Sequence, residues 1–518
     1  MSHNKIEQRA AKIGLVNGIS TLLSIAFQLL SVPICLKYWG KDTYGSWLTL
    51  YASFMLIRSL NTGYGNYVGN KINVLYHQDQ QALREHMASS IIGIAIISAI
   101  QLSIGMSAIF TDQIMLLLGM NASSVNNLDS GIALLILTVT WALSGSYIGI
   151  IHRLLIPTGL MYQAAWWGMG LQASQFLGIM LAAILHFDLL QTSLLFAFIQ
   201  FTVYIASAIY IRIKLPAYYP WWKKGSLRTG IKDLRNSVLL TISDIIRQGI
   251  SNGTIILVSY FSGSASVPIF TTVRTLANLW TTVSTLLSTP LFPEIVRFYA
   301  TGELQKLVTT NRVYWIIAGT IVNLGVLISY PLIEPIYMHW TAHAVTFDKS
   351  LVCMLLASVV TANAGSLIVL YFQGINALGI IFSTSIIRGI SSLAAGTGLY
   401  FYFGLAGFGM GALIGEFFAL ILMVLYFKLL LFKKNTHIPT LSLLNMTIST
   451  GSVILFFINE SFNASYSNYV YSAALLAVIF SAIWGWILLE INIRRRLIDL
   501  IFRRFIKKMQ ALKIILFK

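Results

Sequence analysis

Residues 13–36 read IGLVNGISTLLSIAFQLLSVPICL, twenty-four residues without a single charge. A hydrocarbon core about 30 Å thick is crossed by roughly 20 apolar residues in helical form, so this run spans a membrane once. It is too long for the apolar region of a cleavable signal, and no small-residue cleavage site follows it. Outward from it, the same length rule marks further spans at about 46–70, 89–111, 130–156, 163–186, 190–213, 237–261, 268–292, 313–338, 350–373, 377–403, 405–431, 441–459 and 470–490, fourteen in all. The second and the eighth are polar for membrane helices.

Composition agrees. Of 518 residues, 57% are hydrophobic and 10% charged, with a mean hydropathy of +0.76, whereas a soluble domain carries about 25% charged residues. The expected fold is an all-α membrane protein with no room for a sizeable soluble domain. The two cysteines, Cys35 and Cys353, each lie inside an apolar run, so neither a metal motif nor a disulfide framework is present. A net charge of +18 raises the question of nucleic acid; the placement of the charge answers it. Twenty-eight of the 35 Lys and Arg residues fall on one side of the reading, in short loops, in 214–236 and in the tail, and only Lys37, Lys41 and Lys349 on the other. That bias puts both termini in the cytoplasm and assigns the charge to topology. The tail, 491–518, interleaves Leu497, Ile501 and Phe505 with Arg494–Arg496, Arg503 and Lys507, the pattern of an amphipathic helix on an anionic leaflet, with membrane lipids as its partners.

Two stretches repeat at a separation of about 223 residues. Tyr38–Asn70 leads into KINVLYHQDQQALREHMASS, and Tyr260–Pro293 leads into EIVRFYATGELQKLVTTNRV. Each holds an apolar hairpin, a polar second helix and a short charged helix. The expected organisation is an N-lobe of six spans over 1–213, a basic cytoplasmic linker over 214–236, a C-lobe of six spans over 237–434, two extra spans over 435–490 and the tail. Two halves of like orientation place a pseudo-two-fold axis along the membrane normal. Pro33, Pro290, Pro331 and Pro335 are expected to kink their helices, and Gly407, Gly411 and Gly415 form a stripe for close helix packing.

The segment SLNTGYGNYVGNKINVLYHQDQQALREH, from Ser59, resembles the second helix and following loop of polysaccharide-biosynthesis flippases of the Wzx type, in the multidrug/oligosaccharidyl-lipid/polysaccharide exporter superfamily. Gly63, Gly65, Asn66, Gly69 and Asn70 fill that family's pattern, with Tyr64 where an aliphatic residue is commoner. VPIFTTVRTLANL resembles its eighth helix and GLAGFGMGALIGEFFAL its twelfth. The resemblance implies two six-helix bundles in a V, with two extra C-terminal helices. It implies an undecaprenyl-pyrophosphate-linked oligosaccharide, an O-antigen or similar repeat unit, moved by alternating access from the cytoplasmic to the periplasmic leaflet of the bacterial inner membrane. A polysaccharide polymerase and a chain-length regulator are the protein partners such a role brings.

Ionisable residues inside spans are costly and rare. Arg58, Arg247, Arg274 and Arg388 lie within spans, as do Asp244 and Glu416. A guanidinium forks onto phosphate oxygens, so Arg58 and Arg274, in the repeat-related hairpins, are the leading candidates for a pyrophosphate contact, facing each other across a cavity. Asn61, Tyr64, Asn66 and Asn70 offer groups for sugar hydroxyls; helix–helix hydrogen bonding is the alternative. Asp244 and Arg247, three apart on one helix face, read equally as a self-neutral pair or as a substrate or proton site. Arg388 and Glu416 occupy adjacent spans and read as a pair across them. Arg153 reads as a topology charge or a guide for the head group. Asp244 and Glu416 are the candidates for H+ or Na+ coupling. No cofactor, metal site or Walker motif is expected, and no enzyme: no nucleophile–base or carboxylate pair stands in a periplasmic loop. An ion-coupled multidrug exporter of the same superfamily is the main rival, disfavoured by four arginines against two acids in the spans and by the absence of an acid in 13–36; a membrane glycan polymerase or ligase is the second.

Overall fold

The computed structural model describes residues 3–110, 127–375, 377–462 and 467–495. Residues 111–126, which include most of the stretch read as the longest periplasmic loop, and the tail beyond 495, read as an amphipathic helix, lie outside them. Among the described residues there are helices and turns and no strand.

The first half comprises α1 (His3–Ser59), α2 (Thr62–Gln78), α3 (Gln80–Phe110), α4 (Asn127–Thr140), α5 (Ser146–Ile151), α6 (Met161–Ile184) and α7 (Leu189–Lys214). The second comprises α8 (Leu227–Gln248), α9 (Thr254–Ser262), α10 (Val267–Ser288), α11 (Phe292–Ala300), α12 (Leu304–Trp340), α13 (Lys349–Gly374), α14 (Leu378–Phe403) and α15 (Leu405–Phe432). Then come α16 (Thr440–Ser461) and α17 (Ser467–Leu488). A π turn, Trp141–Gly145, joins α4 to α5, and another, Gly249–Gly253, joins α8 to α9. Eleven of these rods are long and apolar enough to cross a membrane unaided. One of them, Gly18–Ser59, runs 42 residues, about twice one crossing at 1.5 Å per residue, and it is broken at Gly40. With α1 taken as two limbs, and with the interrupted α8–α9 and the polar α10 added, fourteen rods result among the described residues. The chain is a multi-pass helical membrane protein.

The repeat is written in the backbone. Gly40 has φ 71° and ψ 178°, and Gly263, 223 residues later, has φ 79° and ψ 161°. Both lie where an L side chain is strained and glycine is not. Each ends one rod and starts the next. Gln80 opens α3 and Leu304 opens α12, 224 residues apart. The two repeat-related breaks therefore fall at glycine. Pro33 lies inside α1, and Pro331 and Pro335 lie inside the continuous α12; only Pro290 sits at a break, in the 3-10 turn Thr289–Leu291. The span read as 46–70 is interrupted at Leu60–Asn61. The helix that carries the span read from 237 begins ten residues sooner, at Leu227, where the Ser226 hydroxyl accepts from the Thr229 amide, an N-cap inside the stretch read as cytoplasmic linker; its first turns, 227–236, precede the span. α7 starts on a capping box, Asp188 with Gln191.

The chain forms two compact units: residues 1–279, 332–352 and 378–415 in one, and 280–331, 353–377 and 416–518 in the other. In the first, Trp47 and Tyr51, spaced to share one helix face with Phe54, meet Phe196 of α7, with ring centroids 5.6 Å from Trp47 and 5.7 Å from Tyr51. The stripe of α15 packs there too: a Cβ on Gly407 would stand 2.4 Å from the Tyr400 amide, and one on Gly411 2.4 Å from Gly396 Cα. Only a residue without a side chain lets α14 and α15 approach this closely. In the second unit, Ser284, Tyr314, Asn363 and Ser366 make a neutral buried network, with Ser284 Oγ 2.6 Å and Tyr314 Oη 3.1 Å from Asn363 Oδ1. Tyr314 Oη also lies 2.6 Å from Ser366 Oγ. Arg312 pins the two extra helices, donating to Ser442 Oγ near the start of α16 (3.0 Å) and to the Leu488 carbonyl at the end of α17 (2.7 Å).

Candidate functional site

The polar groups that matter most gather in the first unit, around the junction of α1 and α2. α1 ends at Ser59 and leaves carbonyls without helical partners. Gln101, fully buried on α3, donates to the Ile57 carbonyl at 2.9 Å. The next residue, Arg58, is half-buried. Its guanidinium lies 4.0 Å from the centre of the Trp141 ring and donates to Met55 Sδ at 3.8 Å. Trp141 stands where it does because of the π turn and Gly145: a Cβ on Gly145 would come within 2.4 Å of the Trp141 ring and 2.8 Å of Tyr204. Tyr204 then braces the indole edge-on, centroids 6.1 Å apart. A desolvated cation–π contact contributes about 2 kcal/mol, which holds the guanidinium in place without neutralising it. Three buried polar atoms next to this shelf have no partner in the protein: Asn61 Oδ1, Gln101 Oε1 and Trp141 Nε1. A buried polar atom left unpaired costs about 1–3 kcal/mol. This junction is therefore short of hydrogen-bonding partners and carries a full positive charge.

One turn further along α2 a second cluster starts. Asn66 Oδ1 accepts from Arg153 Nη2 at 2.8 Å, and its amide nitrogen donates to Asp244 Oδ2 at 3.4 Å. The other Asp244 oxygen takes Arg247 Nη2 at 2.5 Å, with Arg247 66% exposed and Asp244 14%. Gly69 explains the seat of Arg153: a Cβ there would stand 2.9 Å from Arg153 Cδ, so the arginine stem lies in the groove that the glycine leaves. The chain Arg153–Asn66–Asp244–Arg247 ties the 3-10 turn after α5 to α2 and α8, with Arg247 directly on the carboxylate and Arg153 reaching it through the Asn66 amide. The sequence reading places Asp244 and Arg247 together on one helix face and Asn66 apart from them; Arg153, read as a topology charge or a guide, joins them.

A third group was not foreseen. Asp233 of α8 is fully buried, with Lys71 Nζ 3.0 Å from one oxygen. His86 Nδ1 lies 3.1 Å from the other. Burial alone raises the Asp233 pKa, but the neighbouring His86 and Lys71 outweigh it, and the carboxyl is held below its usual value. The signal was available, since Asp233 is an acid within a stretch otherwise rich in Lys and Arg.

The remaining candidates are placed as follows. Arg274 donates through Nη1 to the Ser251 carbonyl, in the π turn that follows α8, and lies 5.3 Å from the Phe270 ring centre. Tyr64 is fully buried over Gly93, its hydroxyl donating to the Ser90 carbonyl at 3.2 Å. Asn61 is buried and Asn70 exposed. Arg388 is half-buried on α14, beside Gly389, whose Cβ would stand 2.5 Å from Ile246 Cγ2 of α8. Arg388 and Glu416 each have interaction partners. No group of three or more His, Cys, Asp or Glu residues among the described ones is arranged to hold a metal ion.

Solved transporters and flippases share this all-helical, multi-span fold. The chain is similar to the lipid II flippase MurJ in an inward closed conformation, with a TM-score of 0.65 at 13% identity over 93% of this chain and 99% of that one. It is also similar to an inward-facing multidrug resistance MATE family transporter of the MOP superfamily, with a TM-score of 0.61 at 17% identity over 80% and 95%. A third similar structure is the MATE multidrug transporter DinF-BH, with a TM-score of 0.57 at 15% identity over 85% and 98%. No protein-family model and no curated protein matches the sequence.

Proposed function

We propose that this protein is a flippase that moves an undecaprenyl-pyrophosphate-linked oligosaccharide repeat unit, an O-antigen or similar surface polysaccharide, from the cytoplasmic to the periplasmic leaflet. The observation that carries the reading is Arg58, a cation within a span, held by an indole face and a thioether and facing no carboxylate among its partners. A charge left so in a low-dielectric setting favours an anionic ligand, because a pyrophosphate supplies the counter-charge and the acceptors that the protein withholds. The unpartnered Trp141 Nε1 beside it is a donor for the same group, and Asn61 Oδ1 and Gln101 Oε1 are acceptors for sugar hydroxyls. The Arg153–Asn66–Asp244–Arg247 chain continues the cationic surplus along α2. An organic cation would meet like charge at Arg58 and be repelled, which sets this reading above drug export. Asp244, shared between an amide and an arginine, is the carboxylate through which an ion gradient would act.

Deletion of the gene in its native host tests this. The expected result is loss of surface polymer, with single lipid-linked units accumulating on the cytoplasmic face and rescue by the wild-type gene. Normal polysaccharide with greater sensitivity to cationic dyes would give the drug-export reading its place.

A further inference from the structure

Away from the α1–α2 junction, the linker 215–226 folds back on the start of α3 and encloses a cavity of about 610 Å3. This is within the roughly 300–1,000 Å3 range of small-molecule sites. Its walls are Gln80, Gln81, Arg84 and Glu85 on one side and Tyr218, Tyr219, Lys223 and Lys224 on the other. Both walls are fixed. The Ser226 amide donates to Ser89 Oγ at 2.9 Å, and the Tyr218 hydroxyl donates to Gln80 Oε1 at 2.8 Å. A Cβ on Gly225 would come within 2.7 Å of the Ala88 carbonyl oxygen, so the linker lies directly on α3. Tyr219 is set by Arg212, 4.3 Å from its ring centre, and by the edges of Trp221 and Trp222, centroids 5.4 and 5.5 Å away.

The charges facing this cavity are Arg84, Lys223 and Lys224 against Glu85 alone. Glu85 already accepts from Gln81 Nε2 at 3.3 Å. Tyr218 lies close enough to Arg84 for the guanidinium to oppose the rise that burial imposes on its phenol. Three cations with a net surplus of two, a phenol wall and amide groups make a container for a phosphate carrying a polar substituent. Charge-assisted hydrogen bonds from Lys and Arg to phosphate oxygens are about twice as strong as neutral ones.

We propose that this linker cavity binds a phosphate-bearing group, separately from the Arg58 site and whether or not the flippase reading holds. Two sources share that chemistry: the headgroup of an anionic membrane lipid, and a soluble phosphate or diphosphate compound. Full-length protein, purified in detergent, is probed with phosphatidylglycerol by native mass spectrometry and with inorganic pyrophosphate by thermal shift. Two variants report: R84Q/K223Q/K224Q removes the cations, and Ala217→Trp fills the cavity and leaves them. Loss of phosphatidylglycerol retention by tenfold or more in both variants supports a lipid headgroup. Loss of a pyrophosphate-induced shift in both supports a soluble phosphate. Binding of both probes by Ala217→Trp at the wild-type level overturns the cavity, whatever the charge variant does, because dispersed surface charge then suffices.

Discussion

The two repeated hairpins use one backbone device for two chemistries. In each, a positive-φ glycine, Gly40 or Gly263, opens a polar helix that carries an arginine. Arg58 comes eighteen residues after its glycine and Arg274 eleven after its own. The seven-residue difference is about two helical turns, or roughly 10 Å, so the two arginines are not repeat equivalents. Counted from the glycines, Arg274 corresponds to Tyr51 and Arg58 to Thr281. Their partners differ in kind. Arg274 donates to a carbonyl in the π turn after α8, a bond that compensates an irregular backbone. Arg58 has an aromatic face and a sulfur. The same residue type donates to a backbone carbonyl in one half and rests on an aromatic face and a thioether in the other.

The largest effect that tests this contrast is at Arg58. Arg58→Ala is expected to abolish export of the lipid-linked unit at normal membrane levels, while Arg58→Lys, which keeps the charge and loses the fork, retains a part. Complementation of the deletion strain, with surface polymer and lipid-linked intermediates quantified, reads both. Wild-type export by the alanine variant would break the comparison at its root.

Next in size is Asp233→Asn, which leaves Lys71 and His86 without their counter-charge. Removing one member of a buried ion group costs roughly 3–5 kcal/mol, seen as a lower melting temperature in detergent. The folded pKa of Asp233 is depressed. Its contribution is therefore complete above the ordinary carboxylate range, near pH 4, and is lost as pH falls through the folded value. Melting temperature against pH is expected to show an acid limb below about 4 that flattens in Asp233→Asn. An unchanged limb removes the triad as its source.

Arg274→Gln sharpens the comparison from the other side. It is expected to cost about 1.5–3 kcal/mol, the worth of a charged hydrogen bond, and to leave export per folded molecule near wild type. Export lost at full stability would make Arg274 a ligand residue after all and restore the symmetric reading of the hairpins.

The sequence carried the fold far and the site only part of the way. Charge-free runs such as 13–36 and the loop charges located the rods, because hydrocarbon tolerates little else. The eighth rod was recognised as polar, and the structure shows why the seventh also falls outside the plainly apolar set: it starts in water-facing sequence at Leu227 and bends at Gly249–Gly253. Neither π turn has a sequence signature, so neither the seat of Trp141 nor the partner of Arg274 was legible. Gly65, Asn66 and Gly69 were visible as a pattern, yet their physical use, a groove for Arg153, needed α5 beside them. Pairings such as Lys71 with Asp233, 162 residues apart, are decided by packing rather than by spacing.

The smallest expected effect separates charge from structure within one network. Arg247 and Asp244 form an ion pair in which the arginine is 66% exposed, and exposed pairs contribute about 0–1 kcal/mol. Arg247→Gln is therefore expected to leave the melting temperature almost unchanged. Asp244, however, also holds the Asn66 amide, and Asn66 in turn holds Arg153. If the network serves transport, Arg247→Gln lowers export several-fold without touching stability, because a cation has left the anion path. If the pair only solvates itself, both readouts stay at wild type. Export and melting temperature measured on the same preparation decide between them, and only the first result extends the available positive charge from Arg58 to α8.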